Sequence, residues 1–160
     1  MTFDNSKTII GLRIKLFAAT VLLIVYIALA YAAKIIKFPV FGMSDTIVTL
    51  ILVAVYVFLA ILPMILNYQY IWFSDDDERI IFRYFTAGIV GGRKNSVEIN
   101  KNSFEGYQIN KKYFGLSKSL VLFQRIGQKT AQYPPIHITA LNKDQTAKLI
   151  KALLKYSTTG

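Results

Sequence analysis

Two stretches of the chain carry no charged residue and are long enough to cross a lipid bilayer, and nothing else in the sequence constrains the fold as much. Leu16 to Ala33 reads LFAATVLLIVYIALAYAA, 18 residues. As an α-helix it extends about 27 Å, and Ile35 and Ile36 can lengthen it. Thr46 to Leu66 reads TIVTLILVAVYVFLAILPMIL, 21 residues, or about 32 Å as a helix. A bilayer's hydrocarbon core is about 30 Å thick, so each can span. Both are apolar around their whole circumference, whereas a helix on a soluble surface keeps a polar stripe. The spans are expected at about 16–36 and 46–66.

Between them lies KIIKFPVFGMSD, in which Pro39 and Gly42 break helical continuity and Ser44 or Asp45 can cap the second helix. The spans are therefore expected to form an antiparallel hairpin. Ala30-Tyr31-Ala32 looks like a signal-peptidase site, but the apolar run is longer than a signal core and a second span follows. Arg13 and Lys15 before the first span, and Tyr68, Tyr70 and Trp72 after the second, are expected as interface anchors. Cations flank the outer ends of the pair, with Lys7, Arg13 and Lys15 on one side and Arg79, Arg83, Arg93 and Lys94 on the other. The linker has only Lys34 and Lys37. This bias predicts both termini in the cytoplasm.

No Asp, Glu, Lys, Arg or His falls inside either apolar run, Leu16 to Ala33 or Thr46 to Leu66. Ion and proton pathways are marked by such groups, so a transporter or channel formed by this chain alone is not expected. The formal net charge is +10, of which the tail from residue 67 carries +7. In a tethered domain this predicts attraction to anionic lipid, and no nucleic-acid motif accompanies it. The absence of cysteine removes disulfides, thiolate metal sites and Cys nucleophiles.

From Tyr68 the pattern changes to short strands and turns, giving a membrane hairpin segment at 1–67 and a soluble domain at 68–160. Strands are predicted at Tyr68 to Ser74, Arg79 to Thr86, Ser96 to Asn100, Phe104 to Ile109, Ser119 to Ile126 and Ile136 to Ala140. Asp75 to Glu78 is predicted as a solvated tip, Gly88, Gly91 and Gly92 as a turn, and Asn110 to Gly115 as a polar loop. The period then becomes helical. Thr146, Leu149, Ile150, Leu153 and Leu154 form one stripe of a helix running to Tyr156, and Asn142 and Gln145 form its capping box.

Six or seven antiparallel strands closed by an amphipathic helix is a pleckstrin-homology-like layout. The hairpin followed by YIWF, the acidic first tip, SVEIN and PPIHITALNKDQTAKLIKALLK together resemble the small bacterial two-span membrane proteins with a C-terminal pleckstrin-homology-like domain. The resemblance implies an α+β membrane protein: a transmembrane helical hairpin, then a small antiparallel β-barrel or sandwich closed by a C-terminal helix. It further implies a scaffold or adaptor without enzyme activity, placed in a bacterial cytoplasmic (inner) membrane. Its expected partners are the lipid bilayer and either another protein or a second copy. An alternative is an accessory subunit of a larger membrane complex that docks through its spans. No cofactor, metal or nucleic acid is expected. The wider fold binds phosphoinositides through a basic first loop, and Asp75-Asp76-Asp77-Glu78 at that place argues against it here.

His137, the one histidine, has no ligand or nucleophile pattern beside it. Gly91-Gly92-Arg93-Lys94 offers a weak anion nest. Arg93, Lys94, Lys111 and Lys112 are the candidates for contact with anionic lipid, while Lys118, Lys148, Lys151 and Lys155 add positive surface.

Overall fold

The computed structural model describes residues 1–87 and 92–157, so the turn expected around Gly88 and Gly91 lies outside the described residues. The elements in chain order are β1 (Thr2–Asp4), α1 (Ser6–Ile27), α2 (Asp45–Ile65), β2 (Gln69–Ser74), β3 (Arg79–Thr86), β4 (Asn95–Asn100), β5 (Phe104–Lys112), β6 (Ser117–Ile126), β7 (Lys129–Gln132), β8 (Ile136–His137) and α3 (Lys143–Tyr156). The chain is α+β and divides into two units, Met1–Ile9 with Leu66–Gly160, and Ile10–Ile65.

In the first unit strict alternation sets the layers. Ile80, Phe82 and Tyr84 of β3 are buried, as are Val97 and Ile99 of β4 and Ile71 and Phe73 of β2. Side chains at every second strand position share a face. These faces meet Phe104, Leu120, Leu122 and Ile136 of a second sheet, Ile138 just after it, and Leu149 and Leu153 of α3 in one core. The sheets are both antiparallel, β1-β2-β3-β4 and β5-β6-β7, with β8 also on β6.

Of the expected barrel or sandwich, the described residues form two separate antiparallel sheets and no closed barrel. A 3-10 turn at Lys101–Ser103 breaks the path from β4 to β5. Pro134 and Pro135 interrupt the edge strand between β7 and β8, where proline has no N–H for a ladder. At one point between the sheets a side chain stands in for a ladder bond: the His137 N–H donates to Gln69 Oε1 at 2.8 Å.

Two local expectations also shift, and one holds. β5 extends through Lys112, so the loop expected from Asn110 shrinks to Tyr113–Leu116. α3 begins at the expected capping box, with Gln145 N–H donating to Asn142 Oδ1 at 2.7 Å. Its buried stripe is Leu149, Ala152 and Leu153, whereas Leu154 is exposed. The spacing of three and four places Ala152 on the inner face and rotates Leu154 off it.

The larger difference is at the start of the chain, which sequence reading attached to the hairpin. Thr2, Phe3 and Asp4 pair with Ser74, Phe73 and Trp72 as an added edge strand. Asn5, fully buried, then turns the chain into α1. Its Nδ2 donates to Gln69 O at 2.9 Å and its Oδ1 accepts from the Ile71 N–H at 2.8 Å. Ser6 holds the turn by donating to Asp4 Oδ1 through both its N–H and its hydroxyl, which keeps the Asp4 carboxyl below the usual carboxylate range.

The second unit holds most of α1 and all of α2. Two helices are long and apolar enough to cross a membrane, Ser6–Ala32 (α1 and a π-helical extension at Ala28–Ala32) and Asp45–Ile65. Only 6% of each apolar window is buried within the structure. Side-chain hydrogen bonds join the helices: Thr20 to Tyr56 at 2.9 Å, Tyr26 to Thr49 at 2.9 Å and Tyr31 to Thr49 at 2.7 Å. Their connection turns at Val40 to Met43, where Phe41 and Gly42 have φ of 50° and 76°.

Candidate functional site

The site is the end of the domain at which the chain leaves for α1 and returns from α2. Gln69 marks that end. It takes Asn5 on its carbonyl and His137 on its side chain, and it pairs with Thr86 at the end of β3. His137 in turn pairs with Ser119, two residues into β6. The start of β4, preceded by Arg93 and Lys94, and the β5–β6 tip with Lys111, Lys112 and Lys118 therefore lie at the same end of the domain. The acidic turn Asp75–Glu78 lies at the other end of β2.

A groove of about 450 Å³ opens on the outer face of β2, β3 and β4. Its floor is aromatic. Tyr70 stacks on Phe85 with ring centroids 4.8 Å apart, and the Arg83 guanidinium lies 5.0 Å from the centre of the Trp72 ring. Cross-strand pairing places these residues, with Tyr70 opposite Phe85 and Trp72 opposite Arg83. Lys94, Asn95 and Ser96 form the polar rim. Tyr70 also bonds Asp4, and burial pushes its phenol pKa up. An aromatic floor with two cations suits a ligand that joins apolar or planar groups to negative charge.

The expected residues distribute as follows. Trp72 and Tyr70 line the groove, and Tyr68 and Tyr70 pack partly against Ile9, Ala87 and Ala140. Lys94 is on the rim, and Arg93 is exposed beside it. Gly92 is pressed onto Thr86 so closely that a Cβ would meet the threonine Cβ at 2.8 Å. Lys111 and Lys112 are exposed at the end of β5, away from the groove lining. Arg13 and Lys15 are exposed on α1.

Arg83 and Phe85 escaped sequence reasoning because their strand register was unknown, although alternation within RIIFRYFT puts both on the outer face. Tyr113 and Phe114 escaped it because they fell in a segment read as polar loop, and Leu116 because it fell between that loop and the next predicted strand.

The acidic turn is taken up within the domain. Asp75 is buried and accepts from the Met1 α-ammonium at 2.5 Å and from the Tyr156 hydroxyl at 3.4 Å. Asp76 accepts from Met1 and from the Thr2 hydroxyl. These contacts raise the Met1 amine pKa and lower that of Asp76. His137 Nδ1 is buried without a hydrogen-bond partner. Burial, and then the charge of Lys112, hold the imidazole pKa below its ordinary value.

No protein-family model matches the chain, no curated protein is similar to it, and no solved structure matches it.

Proposed function

We propose that this chain is a non-enzymatic scaffold of the bacterial cytoplasmic membrane. Its two apolar helices cross the bilayer as a hairpin, and its pleckstrin-homology-like domain stands at the cytoplasmic face. The groove over Trp72 and Arg83 receives a protein partner, by way of a segment that joins aromatic or apolar side chains to carboxylates.

One observation carries this reading: β1 pairs with β2, although both apolar helices lie between them in the chain. Two segments that share one sheet are on the same side of any membrane, so the helices between them cross as a pair. The cationic flanks then favour the cytoplasm for that side. Two four-stranded antiparallel sheets with a C-terminal helix over the core support the pleckstrin-homology-like assignment.

The chain has no cysteine, so single-cysteine labelling in cells gives a clean test. Ser96→Cys should react with a membrane-impermeant maleimide only after the cells are opened, and Phe41→Cys in intact spheroplasts. The reverse pattern overturns the orientation. For the groove, a photoreactive residue in place of Trp72 should cross-link a discrete protein, and Arg83→Glu introduced into the same chain should abolish the adduct. Adducts to lipid alone, or adducts indifferent to Arg83, count against a protein partner.

A second reading is an accessory subunit that docks through its helices. An apolar groove of about 470 Å³ on α2, lined by Leu50, Val53, Ala54, Val57 and Ile61 among others, favours it. Replacing the hairpin by unrelated spans separates the two, because only the docking subunit loses function.

A further inference from the structure

We infer that the β5–β6 tip is a second, reversible membrane attachment: Tyr113, Phe114 and Leu116 enter the leaflet beneath the domain while Lys111, Lys112 and Lys118 rest on its anionic headgroups. The inference rests on the membrane-anchored reading above and adds to it a site separate from the groove.

The tip puts apolar side chains into solvent. Tyr113 is 58% exposed, Phe114 112% and Leu116 65%. The backbone holds them there at a cost. Tyr113 and Phe114 have φ of 51° and 55°, and Gly115 follows at 89°. Left-handed backbone is unfavourable for a residue with a side chain, because its Cβ crowds the following carbonyl oxygen. Strain of this kind collects where a side chain has to be presented to a ligand.

The charges around the tip point to the same ligand. Lys111 and Lys118 stand directly opposite each other across β5 and β6, and Lys112 follows Lys111. Like charges placed so destabilise a strand pair, and no acidic side chain forms an ion pair with any of the three among the described residues. An anionic surface relieves that repulsion. The tip also lies at the tethered end, through the chain of contacts from Gln69 to His137 to Ser119. A headgroup layer fits this arrangement better than a protein does. It supplies negative charge over hydrocarbon without needing a shaped socket for Phe114, and the helices keep it within reach.

The test uses the full chain in nanodiscs of phosphatidylcholine with phosphatidylglycerol, with nitroxides placed singly at Phe114→Cys, Leu116→Cys, Asp77→Cys and Leu52→Cys. Relaxation by oxygen and by a water-soluble nickel chelate reports depth. The labels at 114 and 116 should favour oxygen, while the label at 77 should favour nickel. Replacing the three lysines by glutamine should lower the inserted-to-free ratio by roughly fivefold per lysine, as should discs without phosphatidylglycerol. Labels at 114 and 116 as open to nickel as the label at 77 overturn the inference. Protection from both probes also overturns it and makes the tip a protein contact. Insertion that ignores the lysines overturns it as well. The label at 52 keeps the two readings apart: in hydrocarbon, it shows that the anchor stands even if the tip fails, and in water, it shows that the anchor itself fails.

Discussion

The buried side chain of Asn5 bonds the backbone of β2 on both sides of Tyr70, accepting from the Ile71 N–H at 2.8 Å and donating to the Gln69 carbonyl at 2.9 Å. The Asn5 N–H donates to the Ile71 carbonyl at 3.2 Å as well. Asn5 thus closes the β1–β2 ladder at the residue where the chain turns into α1. An amide can do this because it carries a donor and an acceptor at once.

Asn5→Ala should cost about 2–4 kcal/mol, since it strands a buried N–H and a buried carbonyl. Denaturant unfolding of the detergent-solubilised chain, followed by the fluorescence of its one tryptophan, Trp72, measures this. A loss under about 0.5 kcal/mol, the scale of an ordinary surface substitution, would mean that β1 is not held as described.

The two phenylalanine classes should separate cleanly. Phe82 is fully buried, and its ring meets Phe73 edge-on at 5.0 Å. Phe82→Ala should cost about 3–5 kcal/mol. Phe114→Ala, at the exposed tip, should leave the stability of the micelle-solubilised domain the same or raise it slightly. Equal losses from both would contradict the packing.

Between the helices, Thr49 serves both Tyr26 and Tyr31. In the proposed membrane setting, hydrogen bonds of this kind average about 0.6 kcal/mol. Thr49→Val should weaken helix pairing by roughly 1 kcal/mol, and Tyr56→Phe, which breaks one bond to Thr20, by about half of that. A double-mutant cycle of Thr20→Val with Tyr56→Phe, read by steric trapping, should return a coupling near the single-bond value. Zero coupling would remove the bond.

His137 gives the domain a pH dependence with a defined sign. Its folded pKa lies below the ordinary 6.5 because of burial and of Lys112. Below the unfolded value, the unfolded chain takes up a proton that the folded domain resists. Stability should therefore hold above about pH 6.5 and fall as the pH drops through it. The unfolding midpoint should be lower near pH 5.5 than near pH 7.5, and His137→Gln should flatten the difference. The lowered Asp4 and Asp76 carboxyls act in a separate window, below their ordinary 3.8, where their protonation removes stability in turn. An identical midpoint shift in His137→Gln would place the pH response elsewhere.

Much of the architecture is legible in the residues themselves. The two apolar helices follow from runs without charge, β2 to β4 from alternation, and the start of α3 from Asn142 and Gln145, three residues apart. Each signal is local, because a helix or strand face repeats within a few residues. The candidate site was only half legible for the same reason. Lys94 and Trp72 stand out as residue types, but Arg83 joins Trp72 only through a β2–β3 register that alternation alone does not set.

What tertiary structure alone decided are the long-range pairings. TFD at the start of the chain has no alternation long enough to announce a strand. It becomes one because β2 offers an open edge, with Thr2 pairing to Ser74 across 72 residues of sequence. The same pairing brings Met1 and Thr2 onto Asp75 and Asp76, converting an acidic run that reads as a solvated tip into a partly buried ion-paired turn. The gathering of Lys94, Lys111 and Lys118 at the tethered end likewise depends on which sheet ends meet at Gln69. Composition and periodicity determine that this chain has two bilayer-length helices and a basic β-rich domain. Which of its charged residues share an end of that domain is fixed by strand pairing between segments too far apart in sequence for any local pattern to register.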